Sequence, residues 1–178
     1  GKLCLRTSKK VYNRSLIASM IDAYGFDKAK EVVAGWVSNL TTEVFSNDTN
    51  ALKAVSSGQC GVTIVNTYYL ARLLDDPEYD NLKLFWANQD DRGVHVNISG
   101  AGIVKSSKNK EDAQTLLEYL SSARAQDFYA SANKEYPVLD SASVHESIKG
   151  WGDFLEDNIN VSKLGLLQKE AVFIAQEV

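Results

Sequence analysis

The segment Val62-Thr-Ile-Val-Asn-Thr-Tyr-Tyr-Leu-Ala-Arg72 predicts a strand that leads directly into a helix. Its first four residues are apolar or β-branched, which is typical of a short buried strand. Asn66 and Thr67 end this run, and both residue types cap helices because their side-chain oxygens accept hydrogen bonds from free backbone N–H groups. We expect the helix to continue from Tyr68 to Leu74. Since ligands bind at the carboxyl ends of strands in α/β sheets, this junction is a candidate site.

Two tyrosines and one arginine lie at this junction. Arg72 follows Tyr68 by four residues and Tyr69 by three, so it shares a helix face with both. The helix N-terminus adds a partial positive charge. A phenol titrates near pH 10, but a bound hard trivalent cation displaces its proton at neutral pH. The alternative, from these residues alone, is that the tyrosines are ordinary amphipathic aromatics at a sheet edge.

A second tyrosine-bearing junction precedes the first in the chain. Residues 2–6 predict a short strand, and the apolar spacing from Leu16 to Tyr24 predicts a helix that ends at Gly25. Tyr12 lies between them, in the same architectural position as Tyr68. Two parallel strands that each deliver tyrosine at the carboxyl end would converge on one site.

The turn between that strand and helix contains Thr7 and Ser8. Together with the backbone before the Tyr12 helix, these residues are a possible anion-binding cradle at a helix N-terminus. The simpler interpretation is that they only cap the helix. Likewise, Asp48 is interpreted only as part of a helix cap.

The remaining pattern predicts an α/β protein with a mostly parallel sheet flanked by helices, beginning in the order β-α-α-β-α-β-α. The other predicted elements are helix 27–40, a short strand at 44–45, helix 51–57, strand 82–86, extended segments 94–98, 101–105 and 135–138, helices 109–120 and 124–132, a helical cluster at 151–155, and a C-terminal helix 164–174.

Composition excludes several classes of function. The balance of 44% hydrophobic and 24% charged residues is that of a globular protein. A net charge of -4 leaves no basic footprint for nucleic acid. No apolar run reaches the length of a membrane span. Because the chain begins at Gly1 rather than Met, we expect a mature or excised segment, whose lack of a targeting signal says nothing about location.

Cysteine and histidine usage gives two further expectations. Cys4 and Cys60 each adjoin a short apolar run, so they form either a disulfide between neighbouring strands or two buried free thiols. His95 is interpreted as a structural or solvent-facing residue. No nucleophile with an adjacent base, no phosphate-binding glycine loop and no histidine–carboxylate metal set is present, so we predict that the protein is not an enzyme.

Several segments resemble, in order, one known family over nearly the whole chain. They are Gly1-Lys-Leu-Cys-Leu-Arg-Thr-Ser8, Tyr12-Asn13, Ser15-Leu-Ile-Ala-Ser-Met20, Phe45-Ser-Asn-Asp48, Gly58-Gln-Cys-Gly61 with the segment to Arg72, His95-Val-Asn-Ile-Ser-Gly-Ala-Gly102 and Glu135-Tyr-Pro137. The family is the periplasmic ferric-iron-binding proteins of ABC transporters, which have the type II periplasmic binding-protein fold. The Asn-Thr-Tyr-Tyr run with an upstream tyrosine looks like the branch that binds iron mainly through tyrosines.

The resemblance implies a site and its ligand. Tyr12, Tyr68 and Tyr69 align with Fe³⁺ ligands. Arg72 and Asn66 are expected to contact these ligands without binding the metal themselves. A hard trivalent ion prefers oxygen donors, and three phenolates would balance its charge. The alternative is a binding protein of the same fold for a small anionic solute, with Arg72, Thr7 and Ser8 as anion receptors.

The resemblance also implies lobes and partners. Residues 1–97 would form the carboxyl-terminal lobe, residues 98–138 a crossing strand and helices of the amino-terminal lobe, and residues 139–178 helices returning to the first lobe. Family members carry an additional amino-terminal portion that completes the other lobe, and without it we expect weaker iron binding. The implied partners are ferric ion, that lobe and an ABC transporter permease, in the periplasm.

Overall fold

A small parallel sheet lies at the start of the fold. The computed structural model describes residues 1–178. Strand β1 (Leu3–Cys4) pairs in parallel with β2 (Val62–Thr63), with Leu3 opposite Val62. Isolated parallel bridges at Leu40 and Phe45 add two further contacts to the β1 segment. The α/β class with parallel strands is therefore confirmed, and the bridge at Phe45 supports the short strand predicted at 44–45.

Helices make up most of the ordered structure. Gly25, at φ 83°, separates the first two helices, as expected of a residue that accepts a positive φ without steric cost. No helix has the length and apolar character needed to cross a membrane. The helices are α1 (Val11–Tyr24), α2 (Phe26–Ser38), α3 (Asp48–Ser56), α4 (Thr67–Ala71), a 3₁₀ turn (Pro77–Tyr79), α5 (Lys110–Leu120), α6 (Ala123–Asn133), α7 (Glu146–Lys149), α8 (Val161–Leu166) and α9 (Gln168–Glu177).

The largest core lies among α1, α2, α8 and α9. Ile17, Met20 and Ile21 lie on successive turns of α1 and pack there with Val33 of α2 and Ile174 of α9. This is the helical spacing on which the α1 prediction rested. The core fixes α1, and therefore its first turn, against the rest of the molecule.

A second core supports the other tyrosine-bearing helix. Leu70 of α4 packs with Leu52 of α3 and with Tyr79 and Leu82 from the following segment. Because Leu70 is within the same short helix as the two tyrosines, its burial fixes that helix in place. The helix itself is only five residues long and gains little stability from its own hydrogen bonds.

Cys4 and Cys60 form a disulfide, with 5.8 Å between their Cα atoms. Both residues are buried, beside Ala54 and Phe45. Of the two alternatives left open by the sequence, the cross-link is therefore the one observed. It joins β1 to the residues just before β2, where the parallel pairing brings the two segments together.

Three predictions about local structure were wrong near the sheet. Val62 is 52% exposed, so the second strand is not a buried one. The helix predicted to reach Leu74 ends at Ala71, and the strand predicted for 82–86 pairs with nothing. In that segment Trp86 stacks on Phe154 at 4.2 Å between ring centroids, so side-chain packing orders it without a strand partner.

The carboxyl-terminal half differs from prediction for related reasons. The helix predicted over 151–155 is absent because Gly152 has φ 72°, which is not a helical conformation and turns the chain after α7. The C-terminal helix is two helices that meet at Leu167, and the first begins earlier because Asn160 caps it. Of the extended segments, only Val94 makes a bridge, to Glu156. Helix α5 has no buried residue, and its apolar face is only half-buried.

Candidate functional site

The structure brings together the three tyrosines predicted as metal ligands. Tyr12 is in the first turn of α1, and Tyr68 and Tyr69 are in the first turn of α4. The rings of Tyr68 and Tyr69 tilt at 38° with their centroids 4.5 Å apart. The phenols of Tyr12 and Tyr69 lie close enough to Tyr68 to affect its pKa. All three side chains are half-buried, so solvent still reaches this group of phenols, which we call the tyrosine cluster.

Parallel strand pairing explains why these residues meet. β1 leads into α1, and β2 leads into α4, so both helices begin at the same edge of the sheet. Tyr68 and Tyr69 are adjacent and would diverge by about 100° in the middle of a helix. At the first turn of α4 their rings remain in contact.

Burial and neighbours hold the Tyr68 phenol in its neutral form. Burial is the main cause that raises the pKa of Tyr68 well above its ordinary value, and the neighbouring phenols of Tyr12 and Tyr69 raise it further. In the absence of a cation, Tyr68 therefore keeps its proton. A metal that bound to Tyr68 would have to displace this proton, as metals do from their ligands.

Two guanidinium groups face the tyrosine rings. Arg72 Cζ lies 5.0 Å from the Tyr68 ring centroid and 5.7 Å from that of Tyr69. Arg6 Cζ lies 4.9 Å from the Tyr12 ring centroid. Each guanidinium is therefore within the range of a cation–π contact with the ring that it faces. Arg72 thus contacts both rings of the tyrosine pair, and its role beside a metal stays a prediction.

A buried ion pair connects the elements that carry the site. Arg6 and Asp48 pair through Nη1 and Oδ1, with side chains only 3% and 2% exposed. Arg6 Nη2 donates to Asn13 Oδ1 at 2.6 Å, and Asn13 Nδ2 donates back to the Arg6 carbonyl at 2.7 Å. The Asn66 amide N–H donates to Asp48 Oδ1 at 3.4 Å. The network thus joins the starts of α1, α3 and α4.

Sequence reasoning missed the role of Asp48. The helix cap is made instead by Asn47, whose side chain accepts from Asn50 N. Asp48 turns into the protein, where Arg6, far away in sequence, neutralises it. No nearby sequence pattern shows that an acidic residue in a short polar run is buried, because its burial depends on which distant segment packs against it.

Asn66 is at the N-cap position of α4, but its side chain makes no capping hydrogen bond. Its Nδ2 donates to Tyr68 Oη at 3.4 Å, and its Oδ1 accepts from Asn97 Nδ2 at 2.7 Å. Asn97 was not singled out in the sequence, and no local pattern would have identified it. The amide of Asn66 is therefore held between a phenol and a second amide.

Thr7 and Ser8 lie in the turn before α1. The Thr7 N–H donates to the Phe45 carbonyl at 2.8 Å, and Thr7 Oγ1 accepts from Lys9 N at 3.3 Å. Both residues line a mainly apolar cavity of about 260 Å³ beside α1 and α2. Helix α1 has Lys10 as its N-cap and no capping side-chain hydrogen bond, so the interpretation of Thr7 and Ser8 as helix caps is wrong. Anion binding at these two residues stays a prediction.

His95 lies against α1 and outside the tyrosine cluster. Its Nε2 is 3.0 Å from Ser15 Oγ, and burial lowers the pKa of the imidazole. No group of three or more His, Cys, Asp or Glu side chains is arranged to hold a metal ion.

The chain belongs to the bacterial extracellular solute-binding protein family, whose model matches residues 1–155. This confirms the resemblance noted in the sequence. The chain is similar to iron uptake protein A1 of Synechocystis, with 40% identity over 99% of this chain and 51% of that protein. It is also 36% identical to iron uptake protein A2 of the same organism. The chain spans about half the length of the curated relatives it matches.

Solved structures agree with this placement. The iron- and citrate-bound IdiA (FutA) protein of Trichodesmium superposes with a TM-score of 0.94 at 39% identity, covering 99% of this chain and 58% of that one. The ferric binding protein of Campylobacter jejuni gives 0.92 at 32% identity, with 99% and 58% covered. The fold class expected from the sequence is therefore confirmed, whereas the division into lobes stays a prediction.

Proposed function

We propose that this chain binds ferric ion as cargo, through the phenolate oxygens of Tyr12, Tyr68 and Tyr69. The observation that carries the proposal is the convergence of the three phenols at the starts of two helices. The names of the similar proteins, iron uptake protein and ferric binding protein, support the same ligand.

Charge supports a trivalent cation over a divalent one. Three phenolates carry three negative charges, which balance Fe³⁺, and phenolate is a hard oxygen donor. Arg6 is already paired with Asp48, so of the two arginines facing the rings only Arg72 brings an uncompensated positive charge. A net neutral metal centre beside one cation is compatible with the half-buried position of the cluster.

Three ligands leave coordination positions of the metal for other donors. We propose that water, hydroxide or a chelating anion occupies them in this chain. One similar structure contains iron together with citrate, which supports a carboxylate chelator in that position. Because the chain covers little more than half of such proteins, we expect it to bind iron more weakly than they do.

The cellular role follows from the family. We propose that the iron is delivered to an ABC transporter permease, that the protein acts in the periplasm, and that it is a binding protein without enzymatic activity. The Cys4–Cys60 disulfide supports an oxidising compartment, because disulfides persist there and are rare in the cytosol.

A visible absorbance titration of metal-free protein with a ferric chelate tests the proposal. Iron bound to phenolate gives a ligand-to-metal charge-transfer band, whereas an organic anion gives none. We expect the band in the wild-type protein and its weakening in Tyr12→Phe, Tyr68→Phe and Tyr69→Phe. Iron should also raise the melting temperature, since a ligand that binds only the folded state stabilises it.

Tyr119→Phe is the matched control, because Tyr119 is 52% exposed on α5 and outside the cluster. It should leave the band unchanged. A folded wild-type protein that shows no band and no thermal shift with iron would refute the proposal. A thermal shift with citrate alone would instead favour the alternative of a small anionic solute, with Arg72 as its receptor.

A further inference from the structure

Asn97 is connected to the tyrosine cluster through the side chain of Asn66. Its Nδ2 donates to Asn66 Oδ1 at 2.7 Å, and Asn66 Nδ2 in turn donates to Tyr68 Oη at 3.4 Å. A side-chain amide has its donor and acceptor on opposite sides. Because Asn97 occupies the acceptor side of Asn66, the donor side is left to face the phenol.

The backbone that carries Asn97 is anchored although its side chain is exposed. Two residues earlier, His95 Nε2 lies 3.0 Å from Ser15 Oγ on α1. One residue before that, Val94 N donates to the Leu155 carbonyl at 2.8 Å. These contacts fix the position from which the Asn97 amide reaches Asn66.

We infer that Asn97 is a positioning residue for the tyrosine cluster: it orients the Asn66 amide so that Nδ2 donates to Tyr68 Oη. This inference rests on the proposed function. A metal-bound phenolate oxygen carries negative charge and gains from a hydrogen-bond donor, so the orientation favours the iron-bound state. If the amide turned over, Asn66 Oδ1 would face that oxygen and repel it.

Asn97→Asp reverses the polarity at nearly constant shape. A carboxylate at position 97 only accepts hydrogen bonds, so Asn66 must turn its Nδ2 toward it and its Oδ1 toward Tyr68. We expect iron to be lost to excess EDTA about tenfold faster than from the wild-type protein, the effect of one hydrogen bond to a charged group. Through space alone, the added negative charge would hold Fe³⁺ more tightly, so the two explanations predict opposite signs.

The effect must depend on Asn66. In the Asn66→Ala background, Asn97→Asp should change the rate of iron loss by less than about twofold, because no amide remains to turn over. Asn158→Asp is the charge-matched control, since Asn158 is exposed and makes no side-chain hydrogen bond, and it should behave as wild type. Equal effects of Asn97→Asp with and without Asn66 would overturn the inference.

A measurement without iron separates this inference from the proposed function. In the metal-free 178-residue chain, the Asn66 side-chain amide resonances in a ¹⁵N–¹H correlation spectrum should move both in Tyr68→Phe and in Asn97→Asp. Resonances that stay in place in both variants would refute the positioning role, whatever iron does. Resonances that move in a protein that gives no charge-transfer band would sustain the positioning role and reject ferric ion as the ligand.

Discussion

Replacing Asp48 by asparagine removes one charge from the buried pair beneath the tyrosine cluster. Both side chains of the Arg6–Asp48 pair are almost fully buried, at 3% and 2% exposure. The introduced amide keeps an oxygen that can accept from Asn66 N, but it leaves the Arg6 guanidinium without a counterion. Breaking a buried pair in this way costs about 3–5 kcal/mol, because an uncompensated charge stays in a low-dielectric environment.

That cost is a large part of the stability of a domain, which is typically about 5–15 kcal/mol. With a urea dependence of about 2 kcal/mol/M, the unfolding midpoint should fall by about 1.5–2.5 M. Equilibrium urea unfolding followed by circular dichroism measures the shift. The slope of the transition should be unchanged, since the substitution adds no exposed surface.

Two companion variants make the reasoning refutable. Glu31→Gln makes the same acid-to-amide change in an exposed pair with Lys28, where the side chains are 70% and 56% exposed, and should cost less than about 1 kcal/mol. Arg6→Met combined with Asp48→Leu removes both charges and should recover much of the loss. An Asp48→Asn protein as stable as Glu31→Gln, or a double variant no more stable than Asp48→Asn, would contradict the buried-charge argument.

Cys60→Ser should lower the free energy of unfolding by about 4 kcal/mol on chain-entropy grounds, since the disulfide spans 56 residues; an unchanged urea midpoint would contradict this. Because the pKa of Tyr68 is raised above its ordinary 10, stability should fall as pH rises above about 10, and Tyr68→Phe should flatten that fall in urea midpoints measured from pH 9 upward. The pKa of His95 is lowered from about 6.5, so its contribution is present above pH 6.5 and is lost at lower pH; His95→Gln should remove this acid-side slope, and proton NMR should show His95 titrating below 6.5. Lys134 bonds Asp75 and lowers its pKa, so Lys134→Met should raise that pKa toward its ordinary value by carboxyl ¹³C NMR.

The strand-to-helix junctions were the best-predicted part of the site. Tyr12 and Tyr68 lie in the first turns of helices that follow parallel strands, as expected. The apolar spacing from Ile17 to Ile21 identified α1 because helical periodicity reflects burial on one face. These features are local, and sequence patterns report local geometry well.

The predictions of a strand at 82–86 and of a helix at 151–155 were wrong. The run 82–86 is apolar enough for a strand, but Trp86 stacks on Phe154 and no strand lies beside it. The run 151–155 has apolar residues at helical spacing, but Gly152 takes a positive φ. For 82–86 the packing of a distant segment decides the structure, whereas at 151–155 the conformation of a single glycine prevents the helix.

By itself, the sequence determined the family, the parallel α/β class and the candidate ligands Tyr12, Tyr68 and Tyr69. It left open whether Cys4 and Cys60 are bonded. Only the tertiary structure decided that they are, that Asp48 pairs with Arg6 beside the site, and that the Asn66 amide lies between Asn97 and Tyr68. The physical reason is distance along the chain: periodicity and capping act within a few residues, whereas ion pairs and amide orientation depend on segments that meet only after folding.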